Sequence, residues 1–258
     1  MAAEPNPKIY IHELIDIRGA MRAEYMHHMT ANWVPIARRE RNQQCFGVWG
    51  TVGSTGRWPQ VVNIWELEGW DGLADNFEHE LSHSSLQDPS LAAWWAKAAE
   101  FRRGGVDRIL VPAPWTRPID ALVADGVQGI AYAHEIVSLR PGAATDYLAA
   151  LREIGTSANG NHGLELVAAF NVIGCNDSEG IAIWAFPTWR TWTAFEAAQG
   201  GASLRPWRAA LDELGADWHR VLMVDAPLAP LRIRRQPAES DRRPPRSWLP
   251  PPEDRWST

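Results

Sequence analysis

Between Lys8 and Ile17 apolar and polar positions alternate. Ile9, Ile11, Ile15 and Ile17 share one face with Glu13, while Tyr10, His12, Leu14 and Asp16 share the other. A period of two with β-branched residues predicts a strand. Gly19 ends it, and Met21, Tyr25 and Met29, four apart, predict a helix with one buried face. Residues 43–53 and 59–68 read as two strands around a glycine-rich turn, GSTGRW. A helix after Trp70 carries Leu73, Phe77 and Leu81 as its apolar stripe. Asp88-Pro89 interrupts it and opens another helical piece, since proline suits the first helical position. There Leu91, Trp94, Trp95 and Ala98 fall at i, i+3, i+4 and i+7. Residues 106–111 close the series as a strand, giving the order β-α-β-β-α-β.

The same order returns in the second half of the chain. YIHELIDIRGAMRAEY from Tyr10 aligns without gaps with YAHEIVSLRPGAATDY from Tyr132, matching Tyr10, His12, Glu13, Arg18 and Tyr25 with Tyr132, His134, Glu135, Arg140 and Tyr147. VNIWELEGW (62–70) matches IAIWAFPTW (181–189), pairing Trp65 with Trp184 and Trp70 with Trp189. Leu91 and Trp94 match Leu204 and Trp207, and DRILV from Asp107 matches HRVLM from His219.

The opening YAHEIVSLRPG, the strand ending in a tryptophan with another five residues later, the DPSLAAWWAK helix and the closing DRILVP together resemble the NIPSNAP family of the dimeric α/β-barrel superfamily. The resemblance spans about residues 8–230. It implies an α+β fold of two ferredoxin-like β-α-β-β-α-β units in tandem, residues 8–115 and 130–230, joined by a linker over 116–129. In that superfamily two such units pack sheet to sheet around a cavity, so this chain would supply its own pseudo-dimeric α/β barrel. One departure stands out: NIPSNAP-like sequences commonly carry an arginine where Glu13 and Glu135 stand here.

Composition narrows the class. A chain of 258 residues with 45% hydrophobic and 22% charged positions is that of an ordinary globular protein with a sizeable core. MAAEPNPK lacks the basic start and apolar stretch of a signal peptide, no run is long enough to span a bilayer, and Cys45 and Cys175 are too few for a disulfide framework. A cytoplasmic protein without membrane partners is expected. A net charge of −6 argues against a nucleic-acid partner. The 15 tryptophans read either as a tryptophan-rich core or as the walls of an apolar cavity. The segment 231–258 differs in kind, with seven arginines against four acidic residues and six prolines. It reads as a disordered tail, or as an arm anchored by Trp248 and Trp256 on an acidic neighbouring subunit of a homo-oligomer.

The chemistry-bearing residues cluster on the repeat. Adjacent strand residues point to opposite faces, so one member of His12-Glu13 and one of His134-Glu135 faces a shared interior. The more apolar face suits the helix layer, which assigns His12 and His134 to the cavity and leaves Glu13 and Glu135 as buried groups that need partners. With the reverse orientation, a buried carboxylate of raised pKa becomes the general base. Tyr10, Tyr132, Trp49, Asn63, Trp65 and Trp184 are the candidate substrate-binding residues. The superfamily includes cofactor-independent oxygenases and isomerases, so the resemblance implies an enzyme acting on an apolar or aromatic small molecule with no organic cofactor, of oxygenase, isomerase or lyase type. The other readings are a non-catalytic small-molecule-binding or interaction protein and, third, a haem-binding protein.

HELSH, His79 to His83, matches the zinc pattern H-E-x-x-H. Both histidines lie about 200° round the helix from the apolar stripe, no third ligand is evident downstream, and the repeat offers FEAAQGG at the equivalent place. The match is read as fortuitous, with no metal site. Purified protein is expected to carry no zinc that depends on His83; stoichiometric zinc lost on His83→Ala, read by elemental analysis, would contradict this.

Overall fold

In the computed structural model, which describes residues 5–242, each half of the chain supplies four strands to one barrel. The first half contributes β1 (Ile9–Ile17), β2 (Gln44–Thr51), β3 (Gln60–Leu67) and β4 (Arg102–Pro112). The second contributes β5 (Ala131–Ser138), β6 (Glu165–Ile173), β7 (Glu179–Phe186) and β8 (Asp217–Asp225). The sheet closes in the order β1-β3-β2-β8-β5-β7-β6-β4, antiparallel at every described pairing. Two seams join the halves: β4 on β6, from Ile109↔Ile173 to Pro112↔Phe170, and β2 on β8, from Trp49↔Asp225 to Thr51↔Met223. Closure removes the free sheet edges that an isolated half would expose. No described helix is long and apolar enough to cross a membrane.

The helices cover the outside. In the first half they are α1 (Arg22–His27), α2 (Val34–Glu40), α3 (Gly69–Leu81) and α4 (Ala92–Phe101). A turn of π-helix, His28–Trp33, joins α1 to α2. It turns Met29 and Trp33 toward the sheet, and both pack in the cluster that holds Tyr25, Trp65 and Trp94.

The inter-half segment expected as a plain linker contains α5 (Ile119–Ala124), whose Ile119 and Leu122 are fully buried among barrel-interior residues. In the second half α6 (Ala144–Ala150), α7 (Thr156–Gly160), α8 (Trp189–Ala197) and α9 (Arg205–Glu213) repeat the arrangement, again with a π turn, Leu151–Gly155. The chain then forms α10 (Pro230–Ile233), which buries Leu231 in the same interior cluster as α5.

The start of the segment read as a tail therefore packs on this chain. Gln236 hydrogen-bonds the backbone N–H and carbonyl of Cys45, at 3.1 and 2.9 Å. It satisfies backbone groups beside the bulge between Cys45 and Gly47, where β2 shifts register on β3. Trp248 and Trp256, the expected anchors of an arm, lie outside the described residues.

The barrel interior is layered. Antiparallel neighbours leave β1 and β5 parallel across the barrel, so Tyr10 and Tyr132 share one level, His12 and His134 the next, and Leu14 and Ile136 the third. Trp49, Phe46, Phe170, Ile64 and Ile183 fill the space around them. The Trp49 ring folds back over Gly47, where a Cβ would meet it at 1.9 Å, so that strand position has to be glycine. Tyr10 donates to Glu66 and Tyr132 to Asp225, each at 2.9 Å. The Glu66 carboxylate also receives the Ile119 N–H of α5 at 2.9 Å, which ties the cap to the barrel end.

His12 and His134 meet at the centre with Nε2 atoms 3.0 Å apart and rings stacked 5.0 Å apart. At this distance an Nε2–H on one ring donates to a bare Nε2 on the other, and burial favours the neutral form of both. Burial holds both pKa values down, and His134 falls to about 3; the neighbouring Arg108 charge acts in the same direction. An unfolded histidine titrates near 6.5. The pair's contribution is thus complete above that pH and is lost as pH falls from about 6.5 toward 3. Replacing His134 by Gln is expected to flatten the loss of stability between about pH 6.5 and 4.5 by roughly 1–2 kcal/mol. Urea denaturation at several pH values reads this; parallel profiles for wild type, His134→Gln and His12→Gln would contradict it.

Candidate functional site

Alternation along β1 fixes which side each candidate faces. His12, Tyr10, Tyr132, His134 and Trp49 lie in the packed barrel interior, each 0% exposed. Glu13, Asn63 and Trp65 face outward to the first-half helices, and Glu135 and Trp184 face the second-half helices. The orientation of the histidines is the expected one, but the accessible space is not on their side. Aromatic rings and the α5 and α10 caps fill the interior. The open cavity lies on the glutamate side, between sheet and helices of the first half.

That cavity measures about 250 Å³. Its floor is Ile11, Glu13, Trp65 and Asp107, and its walls include Met29, Trp33, Trp94 and Trp95. Phe77 and Leu81 form its lip and are 39% and 52% exposed, so the stripe expected to be buried on α3 is sealed only at Leu73. Gln43 Oε1 and the indole N–H groups of Trp94 and Trp95, all in the cavity wall, have no hydrogen-bond partner among the described residues. Arg41 lies over Trp33 at 5.5 Å and pairs with Glu80 at 2.6 Å, closing one side of the cavity.

Glu13 is held in place by neutral donors. Asn63 Nδ2 donates at 2.8 Å and Trp65 Nε1 at 2.9 Å, and the same Asn63 amide donates to Tyr25 Oη at 2.8 Å. Burial raises the Glu13 pKa, and the Asp107 carboxylate across the strand pair raises it further. Burial also raises the pKa of Asp107. A carboxyl group of raised pKa, fixed by an amide and an indole at the floor of an aromatic cavity, is equipped to take and return a proton.

The second half holds the same glutamate differently. Ala182 stands opposite Glu135 where Asn63 stands opposite Glu13. Trp184 Nε1 donates to Glu135 at 3.1 Å, and Arg220 supplies Nε at 2.6 Å together with a second guanidinium contact. The Arg220 guanidinium lies over Trp218, Phe195 and Trp192 at 4.5, 5.2 and 5.4 Å. The remaining space is about 10 Å³, room for roughly one water.

Register explains the difference. The repeat aligns Arg108 with Arg220, but Arg108 stands opposite His12 whereas Val221 stands opposite His134. The last strands are offset by one residue, and one residue reverses every side chain. Arg220 therefore turns outward to Glu135. Arg108 turns inward and is bound by Glu179 at 2.9 Å through two nitrogens. Asp107 takes the place equivalent to Arg220. Sequence reasoning missed Asp107 and Arg220 because their roles depend on this register, which the ungapped alignment conceals, and it missed Arg41 and Gln43, which reach the cavity from the turn between α2 and β2.

The HELSH histidines lie apart from the cavity floor. His79 Nε2 is 3.0 Å from Asp88, which is also 3.6 Å from Arg41. Among the described residues no group of three or more potential ligands is placed to hold a metal.

No family model and no curated relative matches the chain. Its fold is that of the dimeric α/β-barrel proteins. An anthrone oxidase-like protein is similar over 85% of this chain and 92% of its own, with a TM-score of 0.55 at 11% identity. A monooxygenase-like protein of Lactobacillus acidophilus NCFM is similar over 84% and 94%, with a TM-score of 0.53 at 11% identity. A mutant chlorite dismutase of Candidatus Nitrospira defluvii in complex with cyanide is similar over 88% and 93%, with a TM-score of 0.50 at 10% identity.

The last likeness corrects the expectation of a site with no organic cofactor. The chlorite dismutase neighbours are haem-binding, so a cofactor-free site does not follow from the fold. The lining of the first-half cavity does not match a haem site. Haem iron is usually held by His, Cys, Met or Tyr, and here Met29 alone of these lines the cavity.

The asymmetry between the halves gives a direct test. Arg220→Met leaves Glu135 buried without its cation and is expected to cost about 3–5 kcal/mol of stability. Glu13→Gln, which keeps an acceptor for Asn63 and Trp65, is expected to cost about 1 kcal/mol or less. Thermal and urea unfolding of the two variants reads the contrast, and equal destabilisation would refute the assignment of a structural role to one glutamate and an open site to the other.

Proposed function

We propose that the chain is an enzyme for an apolar or aromatic small molecule, acting in the first-half cavity with Glu13 as the proton-transferring residue. The duplication, in this reading, has left the second half as a structural copy. The observation that carries the proposal is the contrast between one glutamate held by neutral donors at the floor of an open aromatic cavity and its counterpart neutralised by Arg220. The anthrone oxidase-like and monooxygenase-like neighbours support a small-molecule enzyme of this general type. The resemblance to the NIPSNAP family rests on the sequence motifs alone.

The ionised Glu13 carboxylate takes a proton from an acidic C–H or O–H of the bound molecule, becomes the neutral acid, and returns the proton at the end of the step. Its raised pKa strengthens it as a base. Asn63 and Trp65 fix both its position and its orientation, and the rings of Trp33, Trp94 and Trp95 exclude water from the apolar part of the ligand. In this arrangement His12 and His134 set the barrel core and hold the rear of the β1 floor, and the catalytic role passes to Glu13.

Native mass spectrometry of purified protein identifies co-purifying ligands, and turnover is then measured on the molecule found. Glu13→Gln is expected to lower turnover by about 10²–10⁴-fold while changing binding far less. Retained turnover in Glu13→Gln would remove the proton-transfer reading. Retained binding with no turnover in the wild type would leave the non-catalytic binding protein in its place.

A further inference from the structure

The second half holds a cation where the first half holds open space. We infer that the first-half cavity takes an organic cation, a protonated amine or a guanidinium carried on a flat apolar body. This rests on the reading of the cavity as the ligand site, not on proton transfer by Glu13.

The chain contains its own example of the complex. In the second half Arg220 lies among Trp218, Phe195 and Trp192 between two carboxylates, Glu135 and, at 2.9 Å, Glu196, with Trp184 Nε1 on the Glu135 carboxylate. A guanidinium between ring faces and a carboxylate is stabilised by both. The first half repeats the carboxylate and one indole of this arrangement, omits the guanidinium, and draws its other rings from different positions. Glu13 and Trp65 match Glu135 and Trp184, and Trp33, Trp94 and Trp95 supply the rings. At the register position of Arg220 stands Asp107, shorter and of opposite charge.

The charges in the cavity leave room for one more cation. Arg41 is engaged by Glu80. That leaves Glu13 and Asp107 with Arg102, whose guanidinium lies over Trp95 at 5.2 Å. Two carboxylates thus face one guanidinium, and each carboxyl is held above its ordinary pKa. A bound monocation would neutralise the set. A neutral ligand would leave the two carboxylates opposed, and an anion would add to them. Arg102 and Asp107 also border a shallow surface groove with Arg18, Arg103 and Gly104, so this part of the cavity can be reached from outside.

The test compares three probes of similar shape on the full chain by tryptophan fluorescence and calorimetry near neutral pH: benzamidinium, benzamide and benzoate. Benzamidinium is expected to bind at least about tenfold more tightly than benzamide, with benzoate weakest. Asp107→Asn is expected to remove most of that preference. Asp107→Arg, which recreates the second-half arrangement, is expected to abolish benzamidinium binding in a protein whose circular dichroism matches wild type. Equal binding of benzamide and benzamidinium to wild type, or an undiminished preference in Asp107→Asn, would overturn the cation assignment and leave the cavity as a ligand site. Binding of none of the three would overturn the assignment together with the reading of the cavity as a site for flat apolar molecules of this size.

Discussion

A carboxylate withdrawn from water has to be answered by hydrogen bonds or by an opposite charge. That requirement organises both halves of this molecule. Glu13 and Glu135 occupy the same position of the first strand in each half and face the same way, toward the helices. One is answered by an amide and an indole, the other by an indole and a guanidinium. Neutral donors leave the space above Glu13 empty. A guanidinium on a long side chain fills the space above Glu135. The structural asymmetry between the halves follows from which donor the neighbouring strand provides.

The packed interior of the closed barrel leaves little room for a site. An eight-stranded barrel is just wide enough for side chains to fill it, and here two histidines, two tyrosines and several aromatic rings do so, with α5 and α10 capping one end. The interior gives rigidity to the strands that carry the glutamates. Imidazoles in contact, both neutral, fix β1 and β5 relative to each other. The first-half cavity then forms on the outer face of that rigid sheet, where helices are held off it by tryptophan rings and by the π turn that brings Met29 and Trp33 to the cavity.

The likeness to known structures, near 10% identity, concerns the path of the backbone and not the chemistry. The same barrel supports haem-binding chlorite dismutases and monooxygenase-like proteins. In this chain the first-half cavity has an acidic floor: Glu13 beside Asp107, under a cage of indoles. Charge at the floor selects ligands more sharply than the apolar walls do, since the walls accept any flat molecule of suitable size while two adjacent carboxylates do not.

Local pattern was enough to mark the strands, the helices and the doubled order of elements, because a period of two or of 3.6 is written in neighbouring residues. It favoured His12 and His134 on the inner face and Glu13 and Glu135 on the outer one but left the reverse orientation open, and the barrel decided it. The filling of the barrel was not legible. It depends on α5 and Leu231 reaching the interior from segments that read as a linker and a tail. The site was half legible: Glu13, Asn63 and Trp65 stood out as polar or aromatic groups in strands, whereas Asp107 and Arg220 did not. Their roles rest on how β4 pairs with β1 and β8 with β5, and a shift of one residue, invisible in an ungapped alignment, turns an arginine from the core to the cavity. Strand alternation is a local property fixed by the sequence of one strand. Register is a property of two strands, and only the tertiary structure decides it.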